Sequence, residues 1–297
     1  MLPQEFLERM ENMLGEEYPA FLKSYDIARY QALRLNPQKG DDVSLLNRGV
    51  FSLERVPWAE HGYYYTAKDT PGKHPYHEAG VYYIQEPSAM APAEYLEAKP
   101  GERILDLCAA PGGKSMNVAL KLTDGSVEAR DLTPLKTQLI RENIARLGLD
   151  NISVKEWDAR VSDTASKESA DIVLADLPCS GLGIIGRKPD IKYYASKEKE
   201  EELVRIQRAI LANAASYVKP GGTLLYSTCT VNRKENGENA AWFLEQFPFE
   251  AVSLDELLPD ELKSGETAKG QLQLIPGVHK TDGFFLAKFR KTEEGRA

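Results

Sequence analysis

Cysteine is scarce in this sequence: three thiols in 297 residues, an odd number, do not make a disulfide framework. That inventory suits the reducing cytoplasm, where a thiol stays available as a reagent. Long apolar runs are absent too. No window approaches the roughly twenty apolar residues of a membrane span. Met1–Phe6 lacks the basic stretch and apolar core of a secretory signal. The histidines, His61, His74, His77 and His279, stand at no metal-binding spacing and no Cys/His cluster joins them, so no metal is expected. Positive charge is in deficit: 37 Lys and Arg face 45 Asp and Glu, a net charge of −8. The deficit is general, with 9 basic against 11 acidic side chains in residues 1–75 and 28 against 34 in residues 76–297. A nucleic-acid partner would have to be met by a local patch, not by the field of the whole protein. Internal repeats and low-complexity segments are also missing, which excludes a solenoid.

What is there is a chain long enough, with 42% hydrophobic residues, for one large domain and a smaller appendage. The division is expected near residue 75, between a small N-terminal α+β unit over 1–75 and a large α/β unit over 76–297. In the first, Phe6, Leu7, Met10, Met13 and Leu14 recur at helical spacing behind Pro3. The stretch from Arg29 to Phe51 reads as irregular, with a turn at Asn36-Pro37, and residues 57–75 read as loops around a short Tyr63–Tyr65 strand. From residue 102 strands and helices alternate. Arg103–Cys108, Ser126–Asp131, Ile152–Glu156, Asp171–Asp176 and Thr223–Ser227 read as strands. Between them lie helical stripes, notably Leu135–Leu147, stopped by Gly148, and Leu203–Val218, ended by Pro220-Gly221-Gly222. This alternation implies right-handed crossovers and a Rossmann-like, mostly parallel sheet with helices on both faces. Leu272–Ile275 and Phe284–Phe289 are expected to add antiparallel strands at its edge.

In such a sheet ligands bind beyond the carboxyl ends of the strands, and the polar residues gather there. The loop Cys108-Ala109-Ala110-Pro111-Gly112-Gly113-Lys114 follows the first strand. Asp131 ends the second, Asp158 follows the third, Asp176 with Cys179 ends the fourth, and Cys229 ends the fifth. Glycines let backbone approach a ligand, and the loop feeds a helix whose N-terminus favours a carboxylate or phosphate. The loop is neither Gly-x-Gly-x-x-Gly nor a P-loop, which argues against a nucleoside triphosphate. An acid at the end of the second strand suits a ribose diol. Any one of these aspartates alone would read as solvated or capping; four features in strand order point to a nucleoside cofactor. Cys108 reads as a small buried hydrophobe, whereas Cys179 and Cys229 each stand beside polar residues.

Asp106–Ser115, Asp176–Gly181 and Ser227–Thr230 resemble the signature segments of the NOL1/NOP2/Sun family of RNA cytosine-C5 methyltransferases, and the likeness covers nearly the whole chain. Tyr82–Met90 is similar to the RsmF/YebU branch; Val127–Leu132, Gly186–Lys192 and Leu274–His279 are similar to the RsmB/Sun branch. The N-terminal helical domain of Sun and the C-terminal extension of YebU have no counterpart in the sequence. The resemblance implies a class I methyltransferase fold dependent on S-adenosylmethionine (SAM), with a seven-stranded sheet over 76–297 and an RNA-binding unit over 1–75. It implies that Cys108–Lys114 holds the methionine part of SAM, Asp131 the ribose hydroxyls and Asp158 the adenine, with Asp176 between cofactor and target base. It also assigns Cys229 as nucleophile and Cys179 as the group that assists proton removal and release.

That chemistry gives two thiols separate tasks. C5 of cytosine is a poor nucleophile; a thiolate added at C6 makes the ring an enamine whose C5 can attack a sulfonium methyl, and a base then removes the C5 proton as the thiolate leaves. An ordinary thiol, with a pKa of about 8.5, is only partly ionised at neutral pH, and a polar strand end helps lower that value. The expectation is two sulfurs converging beside the cofactor with a pyrimidine between them. The reverse assignment, Cys179 as nucleophile, follows the DNA cytosine-C5 enzymes. Asp176 would stabilise the ring through N3 or the amino group, with Lys114 near the cofactor carboxylate or the loop backbone. The target base must be flipped out or single-stranded. Arg34, Asn36, Arg187, Lys188 and Lys192 are expected to contact RNA, and Tyr193 and Tyr194 to stack on bases or pack at the sheet edge. Glu86 reads as a cap for a helix starting at Pro87. The expected substrate is 16S rRNA and the expected state a monomer. The alternatives are a tRNA substrate or, from another class, a non-catalytic RNA-binding assembly factor, which the intact Lys114, Asp176, Cys179 and Cys229 disfavour.

Overall fold

The computed structural model describes residues 2–40, 50–194 and 196–293. Its smaller sheet has strands β1 (Gln31–Leu35), β2 (Glu54–Arg55), β3 (Gly62–Tyr65) and β4 (Tyr82–Ile84), antiparallel in the order β2-β3-β1-β4. β1 falls inside the stretch that reads as irregular. Ala32, Leu33, Arg34 and Leu35 are all buried, so the strand lacks the in–out alternation that would announce it. Residues 41–49 of that stretch lie outside the described residues. β4 stands beyond residue 75 and pairs with β1 through Leu33–Ile84, Arg34–Tyr83 and Leu35–Tyr82.

Helices α1 (Gln4–Leu14) and α2 (Tyr18–Lys23) precede this sheet. α1 buries Phe6, Met10 and Leu14, spaced four apart on one stripe. That stripe shares a core cluster with Phe21, Leu182 and Ile185. The N-terminal helix is thus fastened to the segment just after Cys179.

The larger sheet contains β5 (Arg103–Asp106), β6 (Ser126–Asp131), β7 (Ile152–Glu156), β8 (Ala170–Asp176), β9 (Val218–Thr228), β10 (Phe249–Ala251), β11 (Gln271–Leu274) and β12 (Phe284–Lys291). Its path is β10-β12-β9-β8-β5-β6-β7, with β11 added on β12. β5 to β9 pair in parallel, and β10, β11 and β12 pair antiparallel at one side, as the sequence implies for the last two. The chain is therefore a Rossmann-like α/β fold whose seven-stranded path carries one further strand. β9 is longer than expected. The preceding helix ends at Tyr217 and the strand begins at once, running through Pro220-Gly221-Gly222. A register slip between Ala170 and Ile172 accommodates that run, and a Cβ on Gly222 would stand 2.7 Å from the Asp171 carbonyl oxygen, so only glycine fits there.

Helices α3 (Pro75–Glu78), α4 (Ala91–Tyr95), α5 (Gly113–Lys121), α6 (Pro134–Leu147), α7 (Ile191–Tyr194), α8 (Lys197–Tyr217) and α9 (Gly237–Gln246) complete the described elements. α6 has Thr133 as its N-cap and ends at Gly148, whose φ of 76° is left-handed. It buries Thr137, Ile140 and Leu147, while Leu135 and Leu139 of the expected stripe face solvent. Two core clusters cover the large sheet. One joins Ile104, Ile172, Leu174 and Leu225 to Met116 and Val118; the other joins Leu105, Val173 and Leu224 to Ile210, Leu211 and Phe243. Alternate residues of the same strands serve the two clusters, as a sheet covered on both faces requires.

Candidate active site

The loop after β5 is pinned from beneath. Ala109 N–H donates to the Arg130 carbonyl at 2.8 Å and Ala110 N–H to Asp131 Oδ2 at 2.9 Å. Gly112 caps α5 with φ 99°, a conformation that favours glycine, and contributes no side-chain cap. The first-turn N–H groups of α5 are left to bind something other than a capping residue. A Cβ on Gly113 would stand 2.9 Å from the Tyr83 ring, so this helix start is seated closely on β4. Asp106 lies behind the loop, 1% exposed, accepting from Ser115 Oγ at 2.5 Å. Its Oδ1 is buried without a partner among the described residues. Burial, and secondarily the charge of Asp176, pushes its pKa up to about 7.

Asp131, buried at the end of β6, accepts from Ala110 N–H and from Leu132 N–H at 2.7 Å, with Lys136 Nζ 2.9 Å from Oδ1. Asp158 is turned outward and held by Arg160, whose hydrogen bonds lower its pKa. Cys108 packs at the margin of the second core cluster, and burial raises its thiol pKa.

The chemistry gathers where β8 and β9 end. Asp176 Oδ2 accepts from Lys114 Nζ at 2.7 Å, and its Oδ1 accepts from Ser227 Oγ at 2.7 Å. Lys114 also stands over the Phe284 ring, 5.4 Å from its centroid. Burial works against its charge, yet the Asp176 carboxylate holds its pKa above the usual value. The sulfurs of Cys179 and Cys229 are 3.2 Å apart. The contact with Cys179 lowers the pKa of Cys229, and Lys114 acts in the same sense against burial and the Asp176 carboxylate. The same contact, then burial and the charge of Glu235, raises the pKa of Cys179. One proton between two thiols is thus biased toward Cys179, with the thiolate favoured at Cys229.

The contact also corrects one expectation. An aromatic ring between two atoms needs roughly 7 Å, a van der Waals contact of about 3.5 Å on each face, so no pyrimidine fits between sulfurs at 3.2 Å. The base must lie across the pair, or Cys179 must turn aside.

Glu235, a residue the sequence reading missed, organises the Cys179 loop. It is fully buried. Its Oε2 accepts from Ser180 N–H at 2.8 Å and Gln207 Nε2 at 2.9 Å, and its Oε1 accepts from Asn232 Nδ2 at 2.9 Å. Gln207 Nε2 also donates to the Pro178 carbonyl. Asn236 joins Thr228 Oγ1, the Thr230 carbonyl and Gln273. The signal was present: Asn232, Glu235, Asn236 and Asn239 recur at spacings of three and four immediately after Cys229.

A family model described as 16S rRNA methyltransferase RsmB/F matches residues 93–290, and one described as the N-terminal domain of 16S rRNA methyltransferase RsmF matches residues 2–87. The chain belongs to the RsmB/F family. Ribosomal RNA small subunit methyltransferase F of Citrobacter koseri is 33% identical over 98% of this chain and 63% of its own length. The probable ribosomal RNA small subunit methyltransferase B of Bacillus subtilis is 40% identical over 88% of this chain and 60% of its own. The chain thus spans less than two thirds of these relatives' length. A solved structure of a methyltransferase homologue from Pyrococcus horikoshii superposes with a TM-score of 0.82 at 29% identity, covering 98% of this chain and all of the other. The likeness to both named branches accords with the two halves of the RsmB/F description.

In this RsmB/F chain two of the residues expected at the RNA are interior. Arg34, 2% exposed, donates to Gln85 Oε1 at 3.1 Å and to the Gly113 carbonyl at 3.4 Å. Asn36, 1% exposed, donates to the Gly80 and Leu147 carbonyls. Both tie the small sheet to the large unit, Arg34 to α5 and Asn36 to α6, and a buried side chain committed to carbonyls does not reach a phosphate; the expectation fails for these two. Arg187 pairs with Asp282 at 2.6 Å, and Lys188 is exposed on the same segment. Lys192 stands over the exposed Tyr193 ring; the Tyr194 side chain lies outside the described residues. Glu86 caps the turn at Ser88–Met90 and also accepts from Asp282 N–H. Among the described residues no group of three His, Cys, Asp or Glu is placed to hold a metal ion, and no helix is long and apolar enough to cross a membrane.

Proposed function

We propose that this chain methylates C5 of a cytosine in RNA, in 16S rRNA, with SAM as methyl donor and a covalent adduct between Cys229 and C6. The observation that carries the reading is the thiol pair beside the Lys114–Asp176 ion pair. N- and O-methylation need no thiol, whereas C5 methylation needs a nucleophile and a second group to assist its release. Membership of the RsmB/F family and the names of the relatives support RNA of the small ribosomal subunit as substrate.

The residues present fit SAM. The uncapped N-terminus of α5 suits its carboxylate, and the buried Asp131 at the end of β6 suits its ribose. Asp158, turned to Arg160, would have to exchange that partner to meet the adenine. When bound, SAM supplies the methyl group that becomes bonded to C5.

Cys229 acts as thiolate, favoured by the Cys179 hydrogen bond and by Lys114. It adds to C6; the negative charge that develops toward N3 is met by a proton drawn from the Lys114–Asp176 pair, while the Asp176 carboxylate can accept from the exocyclic amine. After methylation the C5 proton leaves to a base on the Cys179 side, C5=C6 re-forms and the C6–S bond breaks. The opposite assignment is disfavoured because the contact that lowers the pKa of Cys229 raises that of Cys179. The unit over 1–75 contributes to RNA binding, and the reaction belongs to the cytoplasm, where three free thiols stay reduced. Bisulfite mapping of 16S rRNA after incubation with the protein and SAM tests the reading; an RNA that gains no 5-methylcytosine ends it.

A further inference from the structure

A cavity of about 400 Å³ opens between the N-terminal segment and the chain that follows Cys179. Tyr25, Arg29, Tyr30 and Lys192 line it. It shares Pro189 with the cavity that contains Cys179. That cavity in turn shares Ser196 and Glu200 with a groove bounded by Arg9, Arg233 and Lys234. The three concavities make one track that passes Cys179.

The track has the chemistry of a single-strand binding surface. The chain carries a net charge of −8, yet Arg29, Lys188, Lys192, Lys197, Arg233 and Lys234 border these concavities and none makes a salt bridge among the described residues. Of the large aromatic side chains exposed among the described residues, Tyr30, Tyr76 and Tyr193, the first and last stand on the track. The two tyrosines of the first cavity are braced by edge-on contacts, Tyr30 against Tyr64 at 5.9 Å and Tyr25 against Phe21 at 5.4 Å. Rings held this way lose little freedom when a base stacks on them. The stem of Arg29 lies against Gly186, where a Cβ would stand 3.2 Å from its Cδ, and this seats the arginine at the rim beside the Cys179 segment.

We propose that this cavity is a subsite for the unpaired base of a nucleotide next to the target cytosine. The base stacks on Tyr30 and Tyr25 while Arg29 and Lys192 meet the flanking phosphates. The inference rests on the RNA-methylation reading and adds to it that the neighbouring base is splayed out and bound, so the substrate is recognised as an unpaired segment.

The test uses a short fluorescein-labelled single-stranded RNA with one cytosine, and the same RNA made abasic on one side or the other of it. Loss of one aromatic stacking partner is worth about 5- to 150-fold in affinity, from roughly 1–3 kcal/mol per base. The wild type should lose that factor for one of the two abasic RNAs in an anisotropy titration. Tyr30→Ala should bind the intact RNA more weakly and show a reduced abasic penalty, the remainder belonging to Tyr25, while Tyr76→Ala, off the track, should titrate as the wild type does. Equal wild-type affinity for all three RNAs, or a full abasic penalty retained in Tyr30→Ala, overturns the subsite and leaves the methylation reading standing. A wild type that binds none of them overturns both.

Discussion

Cys179 and Cys229, separated by fifty positions in the chain, bring their sulfurs to 3.2 Å. The two thiols are nonetheless unlike, because their contact lowers the pKa of Cys229 and raises that of Cys179. Cys229→Ala should abolish both turnover and the protein–RNA adduct. Cys179→Ala should slow release and let the adduct accumulate with SAM and RNA, visible as a shifted band on a denaturing gel. An adduct kept by Cys229→Ala and lost by Cys179→Ala would reverse the assignment.

Lys114 supplies the charge that favours the Cys229 thiolate. The reactive form exists above the thiol pKa, so removing the cation must move the acidic limb of reactivity to higher pH. Lys114→Gln should raise the apparent pKa for alkylation of Cys229 by iodoacetamide. The profile is read by mass spectrometry of the Cys229 peptide, in a Cys179→Ser background so that one thiol titrates. An unmoved profile would remove Lys114 from this role.

Asp106 is buried with one unpartnered oxygen, and its pKa is pushed up to about 7. An unfolded aspartate titrates near 3.9, so between about pH 4 and pH 7 the folded state holds a proton that the unfolded state has lost. Stability therefore falls as pH rises through that window. Asp106→Asn keeps the Ser115 hydrogen bond and removes the titration. Relative to the wild type it should gain on the order of 2 kcal/mol between pH 5 and pH 8 in urea denaturation. A constant difference across those pH values would contradict the burial argument.

Arg34 illustrates a buried cation whose partners are a side-chain amide and a carbonyl. Burial lowers its pKa to about 10. Arg34→Ala should cost about 2–4 kcal/mol in stability by orphaning Gln85 and the Gly113 carbonyl and leaving a cavity. Arg34→Met should cost less, since it fills the space without a charge to desolvate. RNA affinity of the folded Arg34→Met protein should stay within about twofold of the wild type, because no phosphate contact is removed. A large, salt-dependent loss in RNA titrations would restore Arg34 to the RNA surface.

Much of the catalytic half was legible. β6 and β7 carry the bounds their apolar periodicity implies, and Gly148 ends α6 where its left-handed φ is needed. Parallel strands buried on both faces leave strong local patterns, and motif residues fall at their ends because only strand ends are open to ligands. The small sheet was less legible. β1 and β4 are short, buried over most of their length and paired only with distant segments, Arg34 with Tyr83 among them. The solvated look of Arg34 and Asn36 in the sequence gave no hint that tertiary contacts enclose them.

Composition, strand periodicity and three motifs determined on their own that the chain is an α/β protein with thiols at its strand ends, since those properties are local to the chain. Tertiary structure alone decided which thiol is the more acidic, whether a ring fits between the sulfurs, and which arginines face outward. The reason is that charge and burial act through distance: the two sulfurs meet, with Glu235 near Cys179 and the Lys114–Asp176 pair near Cys229, only after β5, β8 and β9 have been aligned in one sheet.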